Sequence, residues 1–175
     1  NVSAVQFDHD TGTFAAEVLD ILNRNGLPAN LLDIELTETA CVTKKSSADL
    51  MHELREIGVN IALDDFGTGY AGLDSLNRHP INIIKIDRSY VSPIHESAKH
   101  KMVMKGVVAL SKEVGLRVVI EGVENEFQME YMSKIGVDEM QGYLFSKPVS
   151  HNKVCFDDCH CHARRRQDRL LQVAA

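Results

Sequence analysis

Short apolar runs that close on a polar residue recur along this chain, separated by longer stretches with helical spacing. Leu32 to Leu36 carries Glu35, and Ile61-Ala62-Leu63 leads into Asp64-Asp65. Ile83 to Ile86 carries Lys85, Val118 to Ile120 leads into Glu121, and Met140 precedes Gln141-Gly142. The chain itself opens on Asn1-Val2. Between these runs, Phe14, Val18, Ile21 and Leu22 predict one helix face ending at Asn25-Gly26, and Leu50, Leu54 and Ile57 a second ending at Gly58. Val103, Val107, Leu110 and Val114 predict a third, stopped by Gly115. Phe127, Tyr131 and Ile135 predict a fourth, stopped by Gly136 and opened by Asn125 and Gln128 as a capping pair.

Strand, polar residue, helix, glycine is the signature of βα units on a parallel sheet. An open doubly wound sheet binds ligand at one switch point and needs functional groups on only a few strand ends. Here nearly every predicted strand end carries one, which favours a barrel, where all strand ends converge on one mouth. The expected fold is therefore α/β, a TIM-like (β/α) barrel. With 175 residues against the roughly 250 typical of that fold, it is expected to be incomplete, about six of eight βα units, lacking two strands' worth of chain before Asn1. Residues 1–150 form the barrel portion and 151–175 a separate tail.

Composition narrows the function classes. The chain is 44% hydrophobic, enough for one core. No apolar run is long enough to span a bilayer and no secretory signal is present, so a cytoplasmic location is expected, compatible with a membrane-attached parent protein. The net charge of −6 argues against binding the backbone of a DNA or RNA polymer.

The candidate chemistry is acidic. Neighbouring strand residues face opposite ways, so adjacent carboxylates rarely serve one site. Where a strand ends, the second of the pair can swing beside the first, and the glycines of Asp64-Asp65-Phe66-Gly67-Thr68-Gly69 permit a mobile loop. Taken alone, the pair reads equally well as a capped strand end with a solvated turn. With Glu35 and Glu121 it places about four negative charges in one mouth, where each close pair repels by roughly 3 to 4 kcal/mol at an effective dielectric near 20. Such a cluster must protonate, pair with cations or bind metal. Lys85 offsets one charge. Oxygen ligands, the Asn1 amide included, suit hard Mg²⁺ or Mn²⁺, and two such ions are the usual device for attack by water on a phosphodiester.

At these residues the chain resembles the EAL domain family. The motifs are Asn1 to Phe7, Glu35-Leu36-Thr37-Glu38-Thr39, Asp64 to Tyr70, Ile84-Lys85-Ile86-Asp87, Ile120-Glu121-Gly122-Val123-Glu124 and Gln141 to Pro148, in order from Asn1 to about Ser150. The resemblance implies a bacterial phosphodiesterase that opens cyclic di-GMP to linear pGpG on a TIM-like barrel with two Mg²⁺ or Mn²⁺. It implies Asn1, Glu35 and Asp64 on one metal, with Asp64, Asp65 and Glu121 on or near the second. It implies Lys85 holding the attacking water, Glu121 assisting in taking its proton, and Gln141 near metal waters or substrate. Glu38 would anchor the loop after the Asp pair, and Phe66, Gly67, Thr68 and Gly69 would form a switch coupled to homodimerisation and to an upstream sensory or diguanylate-cyclase-like domain.

The chain departs from the family pattern in lacking the Glu-Ala-Leu motif itself, whose Glu is a metal ligand, and in carrying Ala71-Gly72 after the loop. The departure predicts weaker binding of the first metal and impaired turnover. A catalytically silent receptor for cyclic di-GMP, or a protein-interaction module, is the alternative reading. In the tail, Cys155, Cys159, His160, Cys161 and His162 precede Arg164-Arg165-Arg166. Their spacing matches no common structural zinc motif, and reduced thiols are the default reading.

Overall fold

The computed structural model describes residues 1–3, 13–37, 45–67, 76 and 78–153. Five parallel strands pair in chain order: β1 (Asp33–Thr37), β2 (Asn60–Phe66), β3 (Ile83–Ile86), β4 (Arg117–Ile120) and β5 (Glu139–Met140). Their connections carry helices α2 (Lys45–Ile57), α3 (Arg88–Val91), α4 (Ala98–Glu113) and α5 (Glu126–Ile135), and α1 (Phe14–Asn25) precedes β1. The opening residues run beside β1, where the Val2 N–H donates to the Glu35 carbonyl at 3.0 Å. Thus five of the six anticipated strand runs form the sheet, and the sixth lies along its edge. Cys41, Ala71-Gly72 and the Cys/His/Arg cluster from Cys155 onward lie outside the described residues.

Strand alternation divides the sheet into two faces with different work. Ile34, Leu36, Ile61, Leu63, Ile84, Ile86, Val118 and Ile120 belong to the main core, together with Leu50, Leu54, Met104, Val108 and Met132 of the covering helices. The opposite face carries a small separate core of Ala62, Ile83 and Val119; the register pairs Ala62 of β2 with Ile83 of β3, and Val119 of β4 lies beside Lys85. Polar side chains lie on either side of that small core. On the amino-end side, the Asn60 amide donates to Asp33 at 2.7 Å, the Asn82 amide donates to Asn60 at 2.7 Å, and Arg117 reaches Asp33 at 2.6 Å and Glu139 at 3.2 Å. Asp33 and Arg117 stand on β1 and β4. Three strand spacings on a flat sheet separate such residues by about 14 Å, so their contact requires the sheet to curl inward around this face, as a barrel wall does.

The glycine stops are as predicted. Gly26 and Gly136 take left-handed conformations just past α1 and α5, closing the helices with backbone bonds to the last turn. Asn125 and Gln128 form the anticipated capping box, with the Gln128 side chain almost wholly buried. The face of α4 differs from expectation. Met104, Val108 and Ser111 are buried against the sheet, whereas Val103, Leu110 and Val114 are 40 to 55% exposed. This helix carries two apolar stripes, and spacing alone does not say which one meets the sheet. On α1, Ile21 likewise turns outward while Ala15 and Leu22 are buried.

Candidate functional site

Each parallel strand delivers an inward-facing polar residue towards the same end of the sheet. Glu35 comes from the middle of β1, Asp64 from the fifth position of β2 and Lys85 from the third of β3. Glu121 directly follows β4 and Gln141 directly follows β5. Among the described residues, Lys85, 7% exposed, is the one buried charged side chain. Its Nζ lies 2.7 Å from Glu35 Oε1, 2.6 Å from Glu121 Oε1 and 3.3 Å from Asp64 Oδ1. Three carboxylates therefore converge on one ammonium, and the group carries a net charge of about −2 when all are ionised.

The charge states follow from these contacts. Burial opposes the Lys85 charge, but hydrogen bonds to Glu121 and Glu35 and the nearby carboxylates outweigh it and raise its pKa above the ordinary lysine range. Lys85 stays an ammonium. Burial pushes the Glu121 carboxyl upward, repulsion from Asp64 and Glu35 adds to that, and Lys85 only partly restrains it. Asp64 Oδ1 is buried and lacks a hydrogen-bond partner, although Lys85 stands within ion-pair range, because the ammonium is not aligned on it.

Asp65 departs from the expected arrangement. The strand does not stop before the Asp pair: β2 continues to Phe66, and its register against β3 shifts between Leu63 and Phe66. Asp65 takes φ 54° at that bulge, and it is exposed. Asp tolerates this region through local side-chain bonding better than most residues. The bulge thus changes the side-chain sequence from strict alternation, and the buried Phe66 anchors its far side by pairing with Ile86.

Backbone bonds fix the neighbours. The Glu121 N–H donates to the Ile86 carbonyl at 3.0 Å, the Gln141 N–H to Ile120 at 2.8 Å and the Val123 N–H to Gln141 at 3.0 Å. Gly142 lies so close to Val123 that an added Cβ would sit 2.7 Å from its carbonyl carbon and nearer still to its N and O. Gln141 is thereby held beside the Glu121 turn. Asn1 is brought to the same end through Val2 and Glu35. Asp87, in the lysine motif, caps α3 by accepting from the Ser89 N–H, which lowers its pKa. Glu38, Thr68 and Gly69 lie outside the described residues. Sequence reasoning missed the lower belt of Asp33, Asn60, Asn82, Arg117 and Glu139, although each strand residue in it stands two places before an inward position already implicated or apolar.

The donor chemistry can be tested against a divalent ion. Among the described residues, no three His, Cys, Asp or Glu side chains stand in a ready-made coordination cage, because Lys85 Nζ occupies the point on which the acids converge. The set nevertheless fits a hard cation: it is oxygen-only, carries excess negative charge and holds a buried carboxylate oxygen without a hydrogen bond. Among the described residues, no helix is long and apolar enough to cross a membrane.

A curled parallel βα sheet with an acidic cluster at the carboxyl ends of its strands defines a barrel protein of the TIM-like class with its site at the mouth. Residues 1–148 match the EAL domain model, and the chain belongs to the EAL domain family. It is 36% identical over 151 residues to the cyclic di-GMP phosphodiesterase PdeR of Escherichia coli, covering 85% of this chain and 22% of that protein. The phosphodiesterase of MucR, in complex with c-di-GMP, superposes with a TM-score of 0.78 at 33% identity, covering 87% of this chain and 61% of that one. Klebsiella pneumoniae BlrP1, in a manganese and c-di-GMP complex, gives a TM-score of 0.78 at 32% identity, covering 84% of this chain and 38% of that one. The chain thus spans about a fifth of the length of curated relatives such as PdeR.

Proposed function

We propose that this chain carries the phosphodiesterase centre of a cyclic di-GMP hydrolase, cutting one phosphodiester bond to give linear pGpG. The observation that carries the reading is the convergence of Glu35, Asp64 and Glu121 on Lys85 at the strand ends, in a chain of the EAL domain family. Asn1, Glu35, Asp64, Asp65 and Glu121 are the groups that would hold divalent metal, Mg²⁺ or Mn²⁺. Such ions supply charge neutralisation at the phosphoryl oxygens and a more acidic bound water.

The residues of the chain divide the remaining work. Two N–H groups of Lys85 are engaged by Glu35 and Glu121 at hydrogen-bond distance, whereas the contact to Asp64 is longer and misaligned. The third N–H is the one to orient an attacking water. Glu121, within reach of that same position, accepts the proton as the water oxygen bonds to phosphorus and the ribose O3′ departs. Gln141, held by backbone bonds to the Glu121 turn, contacts the dinucleotide.

The test is chromatography of cyclic di-GMP incubated with the protein and Mn²⁺. Appearance of pGpG, abolished by chelator and by Glu121→Gln, is expected. Binding of cyclic di-GMP without any product, with and without metal, would replace the enzyme by a silent receptor.

A further inference from the structure

The bulge at the Asp pair is held from outside its own strand. Tyr90, on α3 immediately after the lysine-bearing β3, donates its hydroxyl to the Gly67 carbonyl at 2.7 Å. Its ring is partly buried against the main core, and it occupies the space over Gly67. A Cβ at Gly67 would stand 2.7 to 2.8 Å from the hydroxyl and ring carbons, and Gly67 itself has φ 93°. Two residues earlier, Asp65 sits at φ 54°. A left-handed aspartate and a left-handed glycine thus flank the buried Phe66, and neither conformation is the intrinsic preference of an extended strand. Phe66 fixes the middle of this turn from below. Tyr90 fixes its exit from the side.

We propose that Tyr90 is a positioning residue for Asp65: its hydroxyl and ring hold the Phe66-Gly67 turn in the one geometry that presents the second carboxylate at the mouth. The inference rests on the reading of Asp65 as a metal-holding group. Because α3 directly follows β3, the same tether sets the Asp pair relative to Lys85. Tyr90 acts through the backbone of Gly67.

The test is Tyr90→Phe, which keeps the ring and its packing and removes only the hydroxyl. Two readouts are needed in the full chain: amide hydrogen exchange at Asp65, Phe66 and Gly67, and Mn²⁺ affinity measured from the electron paramagnetic resonance signal of free Mn²⁺. The expected result is faster exchange confined to these amides and about 3- to 10-fold weaker Mn²⁺ binding, the size of one lost hydrogen bond, with the denaturation midpoint nearly unchanged. Unchanged exchange overturns the tether. Faster exchange with unaltered Mn²⁺ affinity overturns the positioning of Asp65. If the parent chain binds no Mn²⁺ at all, the metal reading fails and the positioning role falls with it, while the exchange data still report whether the tether exists.

Discussion

Replacing Lys85 by Met removes the ammonium on which three carboxylates converge and keeps most of the methylene stem packed. Glu35 and Glu121 both bond the same nitrogen, at 2.7 and 2.6 Å. Their bonded oxygens therefore lie within about 5 Å of each other, where two charges repel by about 3 kcal/mol at an effective dielectric near 20. Asp64 adds a further partner at 3.3 Å from the nitrogen. Breaking a buried ion pair from one side costs about 3 to 5 kcal/mol, and K85M is expected to lose that much in urea unfolding at pH 8 with chelator present. The loss has a definite pH dependence. Glu121 has its folded pKa raised, and removing Lys85 raises it further. A carboxyl raised in the folded state destabilises above that pKa and ceases to do so as pH falls through it towards the unfolded value. The penalty is therefore expected to shrink on acidification as Glu121 takes up a proton, and to shrink at pH 8 when Glu121→Gln is added or Mn²⁺ is supplied. A loss below about 1 kcal/mol, or one equal at pH 8 and pH 5, would refute the account.

Two further outcomes follow from other parts of the molecule. Gly142→Ala places a methyl against the Val123 backbone, which cannot swing aside as a side chain could; calorimetry is expected to register a loss of about 3 kcal/mol, the upper end of the usual overpacking cost. Gly106→Ala in α4 meets nothing within 4 Å and is the control, expected to stabilise by about 0.5 to 1 kcal/mol. His79 has its pKa lowered, first by burial and then by Arg78 and His52. Protonation is thus easier in the unfolded chain, and stability falls as pH drops below the ordinary histidine value. The drop in melting temperature between pH 7.5 and pH 5.5 is expected to be smaller in His79→Gln, and an equal drop would exclude His79 as its source.

The sequence made the outline of the sheet readable because each strand is a short apolar run closed by a polar group and each long helix ends near a glycine. It made Glu35, Asp64, Lys85 and Glu121 readable for the same reason, since they interrupt apolar runs. The orientation of α4 was not readable: Val103, Val107, Leu110 and Val114 have the right spacing, but so does the stripe through Met104 and Val108, and only packing selects between them. The bulge at Asp65 was anticipated as a strand end, because the chain gives no sign that Phe66 resumes pairing with Ile86 beyond the interruption. The lower belt escaped notice for a different reason. Asp33, Asn60 and Arg117 stand at strand starts, where polar residues ordinarily belong to turns, and their meeting depends on curvature across strands that are not neighbours.

The two polar ends of the inner face differ in charge balance, and the difference argues for which end has a function. At the lower end, Asp33 and Glu139 share Arg117, and Asp33 has a neutral donor as well. Asp33 accepts from Asn60 and Arg117. Neutral amides at Asn60 and Asn82 spread the remaining bonds. Such an arrangement closes the barrel floor with most of its buried groups bonded within the protein, Arg117 Nε being the exception. At the upper end, three carboxylates share one ammonium, and Asp64 keeps a buried oxygen without a hydrogen bond. Stability alone would favour fewer acids or another cation there. An excess of negative charge at this end, larger than at the belt only a few residues away along the same strands, is what a ligand carrying positive charge would offset.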